Sequence, residues 1–265
     1  MLHKIDSGSN RIVYFDDVLN IVVKEEDIQG LIDNNCENAL KKLQKREDLY
    51  TEAGLIFGDY FVQVSHLSLV LNSQRIKLRH FEPDLREIYN DKSFDCCIQN
   101  YLGLKDNSMS YEDTLAIKMF LTNQQTAELP AYTTELMEML AKIQSINPKD
   151  YEEFCNMLLA YNRTGKSLDF AGKSNLIIDW NKNKLLLNNS AIKGNNLLQF
   201  YHTLPKFANG EYTKKNRCIF INTMASYLVN NQILSLIGLS LPISLYDHIR
   251  TVIDNWNVIH HAIYD

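Results

Sequence analysis

The sequence predicts an α+β protein in which a strand-rich N-terminal part with one helix precedes a larger helical part. Runs rich in valine and isoleucine alternate with short polar turns up to about residue 81. Beyond Pro83 the apolar residues recur at spacings of three and four, as on helices, except over 167–190. The chain of 265 residues, 45% hydrophobic and 22% charged, is long and apolar enough to bury a large core.

Four strands are predicted in the N-terminal part, at 11–15, 18–24, 60–71 and 75–81. The first two are joined by a turn at Asp16–Asp17 and are preceded by a short polar loop that contains Gly8. A helix is predicted over 26–48, because apolar residues such as Leu40 and Leu43 recur there at helical spacing.

The helical part contains four predicted helices, at 111–124, 132–146, 148–161 and 243–263. The third has the clearest start signal, with Asn147 as the N-cap and Pro148 at the first helical position. Between the third and fourth helices, the apolar runs on either side of residues 180–183 predict a hairpin.

Composition excludes several classes of protein. A net charge of −5 argues against a general nucleic-acid binder. Five scattered cysteines without a CxxC pair suit a reducing compartment, and the N-terminus lacks the apolar stretch of a signal peptide. The long uncharged run over 218–246 contains several asparagines and a proline, which favours buried helices and predicts no membrane span. The seven histidines show no metal-ligand spacing.

Two N-terminal residues have the arrangement of a phosphate-binding site. A glycine-containing loop between strands can place backbone N–H groups over phosphates, and a lysine on a following strand can pair with them. Gly8 lies in such a loop and Lys24 ends the second predicted strand. A solvent-facing lysine at the end of an ordinary strand is the competing interpretation.

The strongest local pattern lies at 167–190. Asp169 follows a short extended stretch, Asn175 comes six residues later, and the predicted hairpin follows directly. With the glycine loop, the strand lysine and the intervening helix, this order resembles the protein kinases and their bacterial relatives. The resemblance is to the HxDxxxxN catalytic loop of that superfamily.

The resemblance implies a bilobal protein-kinase-like fold that transfers the γ-phosphoryl group of ATP to a hydroxyl on a protein substrate. In that family Asp169 would orient the acceptor hydroxyl, Lys24 would contact the phosphates and Asn175 would ligate Mg²⁺. A helix carboxylate should pair with the lysine; Glu37 is the expected partner and Glu26 its rival.

Three departures from the family pattern bear on activity. The spacing from Asp169 to Asn175 is one residue longer than usual, and Ser167 stands where a histidine is usual. Asn188 stands near the position of the metal-binding aspartate of the DFG motif. An asparagine can ligate Mg²⁺ through its carbonyl oxygen but brings no charge, so a pseudokinase that binds or scaffolds without turnover is the main alternative.

A second register of the motif is also open. Asp169, Phe170 and Ala171 could themselves be the DFG-like motif, with Asn156 as the metal ligand and Asp150 as the catalytic aspartate. The helical periodicity of 148–161 favours the first register, because a catalytic loop must be irregular.

The boundary between the two lobes is predicted near Phe81–Asp84, which divides the chain into 1–83 and 84–265. In the family this stretch is a hinge whose backbone contacts adenine, so Glu82 is assigned to the nucleotide site. A plain strand followed by a proline turn is the competing interpretation.

Three further possibilities follow from the sequence. A small-molecule phosphotransferase or a purely structural α+β domain would fit the same elements. The basic residues Lys41, Lys42, Lys45 and Arg46 form either a solvated helix face or a site for a polyanion activator such as an inositol phosphate. The expected location is the cytoplasm or, for a bacterial effector, a host cytosol reached without a cleavable signal peptide.

Overall fold

The computed structural model describes residues 1–7, 11–30, 36–72, 75–85, 131–166, 168–170, 175–192, 226 and 229–241. In these ranges a five-stranded antiparallel sheet and one helix precede two further helices and a two-stranded hairpin. The α+β class, with a strand-rich N-terminal part and a helical C-terminal part, is therefore confirmed. Gly8, Ser167 and the predicted helices at 111–124 and 243–263 lie outside the described residues.

The N-terminal sheet has the strand order β1-β2-β3-β5-β4. Its strands are β1 (Leu2–Ser7), β2 (Arg11–Asp16), β3 (Ile21–Gly30), β4 (His66–Asn72) and β5 (Arg75–Pro83). Strand β1 was not among the predicted strands. Strand β3 runs well past its predicted end at residue 24, because β5 pairs with it along its whole length, from Ile21 opposite Pro83 to Gly30 opposite Arg75.

The turns of two hairpins share the same hydrogen-bond pattern and backbone conformation. Asp16 Oδ1 accepts hydrogen bonds from the backbone N–H groups two and three residues on, and Asn20 adopts a positive φ of 52°. Asp179 Oδ1 does the same in the second hairpin, where Asn183 has a φ of 51°. Aspartate suits the start of such a turn because its carboxylate can accept hydrogen bonds from the next backbone N–H groups. Asparagine suits the position four residues later because it adopts a positive φ more readily than most residues.

Helix α1 (Cys36–Phe57) begins ten residues later than predicted and continues nine residues further. Its buried stripe explains the longer helix, since Ala39, Tyr50, Ala53 and Phe57 recur at helical spacing and all lie in the core. Gly58, with a φ of +50°, ends the helix in the conformation that glycine adopts most readily.

The predicted strand over 60–71 is correct only in its second half. Residues Gly58–Tyr60 form a short 3₁₀ helix, and β4 begins at His66. Phe61 and Val62 pair elsewhere: Phe61 forms a parallel bridge with Leu187, and the Val62 N–H donates to the Leu187 carbonyl at 2.9 Å. These backbone groups are satisfied by the C-terminal hairpin, so the segment does not join the large sheet here.

The helical part is built from α2 (Ala131–Ile146) and α3 (Pro148–Arg163), close to their predicted bounds. Asn147 precedes α3 as predicted, although its side chain makes no capping hydrogen bond. The hairpin of β6 (Leu176–Asp179) and β7 (Lys184–Leu187) is also confirmed. All four residues of β6 are buried, so both faces of this strand are covered.

One hydrophobic core joins these elements. Its centre is aromatic, with Phe57 of α1 contacting Phe154 and Tyr161 of α3 at ring-centroid distances of 6.3 and 5.4 Å. The same cluster includes Leu78 of β5 and Leu187 of β7. No helix in the ranges described above is long and apolar enough to cross a membrane.

Candidate functional site

Lys24 lies at the centre of a buried polar cluster between the sheet and the segment that follows β7. Its side chain is 11% exposed, and its ammonium nitrogen lies 2.6 Å from Glu82 Oε2 and 3.0 Å from Asn188 Oδ1. Burial lowers the pKa of Lys24, while the neighbouring Glu82 carboxylate raises it in opposition. The lysine is therefore held between β5 and residue 188, and does not face solvent.

The partner of Lys24 differs from the one expected. Glu37 lies in the exposed first turn of α1 and pairs with Lys41 at 2.6 Å, so the expected Glu37–Lys24 pair is corrected. Glu82 provides the carboxylate instead, because the pairing of β3 with β5 places Val22 opposite Glu82 and so brings that side chain beside Lys24. Glu82 was assigned through the backbone of a hinge, whereas here its side chain makes the contact.

The loop of Asp169 is held by backbone and amide hydrogen bonds. The Asp169 N–H donates to the Ala191 carbonyl at 2.8 Å, and Asn175 Nδ2 donates to the Asp169 carbonyl at 2.7 Å. The Asn188 N–H in turn donates to the Asn175 carbonyl at 3.0 Å. A continuous path of contacts thus links Lys24, Asn188, Asn175 and Asp169.

Asp169 is buried, with 1% of its surface exposed. The neighbouring Phe170 N–H donates to the hydroxyl of Ser226 at 3.1 Å, which ties the loop to the C-terminal helical residues. An acceptor hydroxyl reaches the Asp169 carboxylate only if the chain around it opens.

The residues of the second register occupy a regular helix. Asp150 lies in the first turn of α3, where its carboxylate accepts a hydrogen bond from the Tyr60 hydroxyl at 2.7 Å. Asn156 is exposed on the same helix and lines an open surface groove. A packed helix, unlike an irregular loop, does not present these two residues to a shared phosphate, so the geometry favours the first register.

A second carboxylate, that of Glu26, lies half-buried further along β3, with 20% of its side chain exposed. Its Oε2 atom accepts from Arg11 Nη2 at 3.1 Å and lies 3.6 Å from Arg46 Nη2 and 3.7 Å from His80 Nε2. The register explains the arrangement, since Arg11 is opposite Glu26 and residues 24 and 26 share a face of the sheet. Glu26, the alternative to Glu37 as the carboxylate partner of Lys24, therefore pairs with Arg11 and Arg46 instead.

The protonation of this cluster follows from its contacts. Burial would raise the pKa of Glu26, but His80 and the charges of Arg11 and Arg46 lower it to about 2. Burial lowers the pKa of His80, so its imidazole is neutral at neutral pH. The Tyr50 hydroxyl lies 3.1 Å from His80 Nδ1, within hydrogen-bond distance, whereas His80 Nε2 lies 3.7 Å from Glu26 Oε2.

Replacing Glu26 with glutamine is expected to lower the unfolding free energy by roughly 2 kcal/mol at pH 7, allowing for partial solvent screening. The native pKa of about 2 lies below the ordinary 4.5, so this contribution is fully present above pH 4.5 and is lost as the pH falls toward 2. Urea unfolding of wild type and Glu26→Gln between pH 7 and 3 measures the difference.

Glu37→Gln is the matched control for that experiment, because the Glu37 side chain is 75% exposed and should change stability little at any pH. A difference between wild type and Glu26→Gln that stays constant from pH 7 to 3 would show that Glu26 is not a charge-stabilised carboxylate.

The residues predicted to ligate Mg²⁺ do not fit that ion. Asn175 and Asn188 are both neutral amides; the carbonyl oxygen of Asn188 already accepts from the Lys24 ammonium, and the amide of Asn175 is tied to Asp169. Mg²⁺ sites in proteins normally include one or two carboxylates. Among the residues described here, no group of three or more acidic, histidine or cysteine side chains could hold a metal ion.

Three polar residues of the site were not predicted from the sequence: Arg11, His80 and Ser190. Arg11 Nη1 donates to the Ser190 hydroxyl at 3.1 Å, two residues beyond Asn188. The signal was available in the strand alternation, since Arg11 shares a face with Val13 and Phe15, and His80 shares one with Leu78. A charged or polar residue in an otherwise apolar row of a strand indicates a buried polar contact.

The basic residues of α1 do not form one surface. Arg46 is directed inward, toward Glu26 and the Ile192 carbonyl. Lys41 pairs with Glu37, Lys42 donates to the Ile28 carbonyl at 2.5 Å, and Lys45 is exposed. A polyanion site that uses all four side chains together has no support in this arrangement.

Fold and site thus define an α+β chain with a buried lysine cluster beside a fixed aspartate loop. No protein-family model and no curated protein matches the chain. Among the solved structures similar to this chain, two PAN3 pseudokinases each have a TM-score of 0.34. The Drosophila melanogaster PAN3 pseudokinase has 11% identity, over 97% of this chain and 70% of that one. A Neurospora crassa PAN3 pseudokinase mutant has 10% identity, over 97% and 64% respectively. Likenesses this distant assign no function.

Proposed function

We propose that this chain is an atypical, kinase-like protein that binds ATP at the Lys24 cluster. The observation that carries the proposal is the path of contacts from Lys24 through Asn188 and Asn175 to Asp169. These residues are far apart in sequence and were expected together on the basis of a kinase-like order of elements. In protein kinases the corresponding lysine lies on the third strand, as Lys24 does on β3.

The nucleotide would be positioned by groups on two sides of the cluster. Lys24 has three N–H donors, of which two are directed to Glu82 and Asn188, and the third is available to a phosphate oxygen. The end of β5, at Glu82 and Pro83, would lie beside the adenine base. Asp84 would then mark the passage to the helical part.

Asp169 would act on the acceptor. Its carboxylate orients a hydroxyl of a protein substrate for in-line attack on the γ-phosphorus of ATP. A new bond forms between the hydroxyl oxygen and phosphorus, the bond from phosphorus to the β,γ-bridging oxygen breaks, and Asp169 takes the hydroxyl proton. Asn175 keeps the loop in place through its hydrogen bond to the Asp169 carbonyl.

A pseudokinase that binds nucleotide without turnover is the second candidate. Two observations favour it. Asn188 replaces a charged metal ligand with an amide that is already bonded to Lys24, and Asp169 is buried. In this case the site would serve as a nucleotide-dependent binding module for a protein partner.

ATP is expected to raise the melting temperature by about 5–10 °C at a concentration of one hundred times its Kd, because binding to the native state adds about 2.7 kcal/mol. Thermal-shift titration with ATP measures this. Transfer of labelled phosphate from ATP to casein or to the chain itself then separates the two candidates. For an active enzyme, Asp169→Asn should reduce labelling at least 100-fold.

Asp150→Asn is the matched control, since it makes the same change at the aspartate of the second register. Labelling that is lost in Asp150→Asn as well as in Asp169→Asn would favour the second register, in which Asp169 is the metal-binding aspartate. Labelling that survives Asp169→Asn would overturn the role of Asp169 in both registers. ATP binding without labelling by the wild type would identify the pseudokinase. If ATP leaves the melting temperature unchanged, the proposed function is wrong.

A further inference from the structure

We infer that the phosphates of the bound nucleotide are neutralised by Lys24 and Arg11, two cations of the chain itself, so that ATP binding does not depend on Mg²⁺. This inference rests on the proposed function, since it concerns the ligand of the same site. It departs from kinase chemistry, in which metal ions bridge the β- and γ-phosphates.

The position expected for the metal is already used by a cation. The Lys24 ammonium lies 3.0 Å from Asn188 Oδ1, the oxygen that would have to ligate Mg²⁺. A dication bound there would displace the ammonium from its acceptor and lie close to its charge, which is unfavourable at low dielectric. The predicted ligands Asn175 and Asn188 bring no negative charge to offset this.

Arg11 supplies the second cation on the other side of the same segment. It lies at the start of β2, and its guanidinium contacts both Glu26 and the Ser190 hydroxyl. Lys24 contacts Asn188 and Arg11 contacts Ser190, so two cations flank residues 188–190. An arginine can bind phosphate through two parallel N–H donors, which a lysine cannot.

The charges of the described cluster leave room for an anion. Among the groups in direct ion pairs, Arg11, Lys24 and Arg46 face two carboxylates, those of Glu26 and Glu82. This local excess of one positive charge does not include Asp169, which lies further along the path of contacts. The segment also holds unused hydrogen-bonding capacity. The side chain of Asn189 is fully buried, and neither its Nδ2 nor its Oδ1 has a hydrogen-bond partner in the described part of the chain. A buried amide of this kind is stabilised by a polar ligand.

Isothermal titration of the full chain with ATP, in EDTA and again in 5–10 mM Mg²⁺ (roughly physiological or above), tests the inference directly. The Kd in EDTA should lie within about threefold of the Kd in Mg²⁺. Arg11→Gln should weaken ATP binding in EDTA by about tenfold or more, the loss expected for one charge-assisted hydrogen bond. AMP should be much less sensitive to this substitution, because it lacks the β- and γ-phosphates.

Two further variants keep the test independent of folding. Arg11→Lys retains the charge and should recover part of the affinity that Arg11→Gln loses. Arg79→Gln is the matched control: Arg79 is on the same sheet but pairs with Glu25 on the opposite face, so ATP affinity should be unchanged. Circular dichroism and thermal unfolding of each variant verify that the fold persists.

The outcomes distinguish the inference from the proposed function. ATP binding that requires Mg²⁺ and disappears in EDTA overturns the inference and leaves the proposed function standing. Binding in EDTA that is equally tight in Arg11→Gln and wild type overturns the role of Arg11. Absence of ATP binding under both conditions overturns the proposed function, and the inference with it.

Discussion

Replacing Glu82 with alanine is expected to lower the unfolding free energy by about 3–5 kcal/mol, because it leaves the Lys24 ammonium buried without its counter-charge. The Glu82 side chain is 3% exposed and that of Lys24 is 11% exposed, so water replaces the lost partner poorly. Asn188 remains as a neutral acceptor, but an amide oxygen does not balance a full charge. Urea unfolding at pH 7 measures the loss.

Glu25→Ala is the matched control for Glu82→Ala. Glu25 is also a buried glutamate of the same sheet, but its partners Lys77 and Arg79 are 18% and 27% exposed and can turn toward water. Its removal is expected to cost about 1–2 kcal/mol. The double variant Lys24→Met/Glu82→Leu, which removes both charges, should recover much of the stability lost in Glu82→Ala. If Glu82→Ala costs less than Glu25→Ala, the ion pair does not have the importance assigned to it.

Phe57→Ala is expected to lower the unfolding free energy by about 3–5 kcal/mol, the usual cost of truncating a buried phenylalanine. Phe57 is completely buried and contacts the rings of Phe154 and Tyr161, so the variant leaves a cavity where α1 meets α3. Because helices from both parts of the chain border that cavity, the two parts cannot close over it without moving relative to each other. Chemical denaturation followed by circular dichroism reports the change.

Leu55→Ala, two residues away on the same helix, separates packing from helix propensity. Its side chain is 82% exposed, so the substitution should change stability by at most about 0.5 kcal/mol. Equal effects of the two substitutions would mean that α1 contributes through its own helical stability, and not through the aromatic contacts at its C-terminus.

The elements that the sequence predicts well are those with local signals. Helix α3 begins at Pro148 as its start signal predicts, and the second hairpin turns where Asp179 and Asn183 favour a turn. The helix predicted from residue 26 failed because β3 continues to Gly30. That continuation depends on pairing with β5, more than forty residues later, which no local pattern reveals.

The site divides in the same way. Lys24, Asn175, Asn188 and Asp169 were selected by an order of elements, and the structure brings them into one path of contacts. The partner of the lysine was not predictable, because it is set by the register between β3 and β5, which places Glu82 next to Lys24. Arg11 was missed although its place in an apolar row of β2 marks it as a residue that faces inward.

The pairing of Phe61 and Val62 with Leu187 has a consequence for synthesis of the chain on the ribosome. The five strands of the large sheet all lie before residue 84, so their pairing partners emerge early. The Val62 N–H acquires its partner, the Leu187 carbonyl, only when β7 has been translated. Until then the nascent N-terminal part exposes an unpaired backbone group next to aromatic side chains that the later segments have not yet covered. Chaperones bind exposed surfaces of this kind.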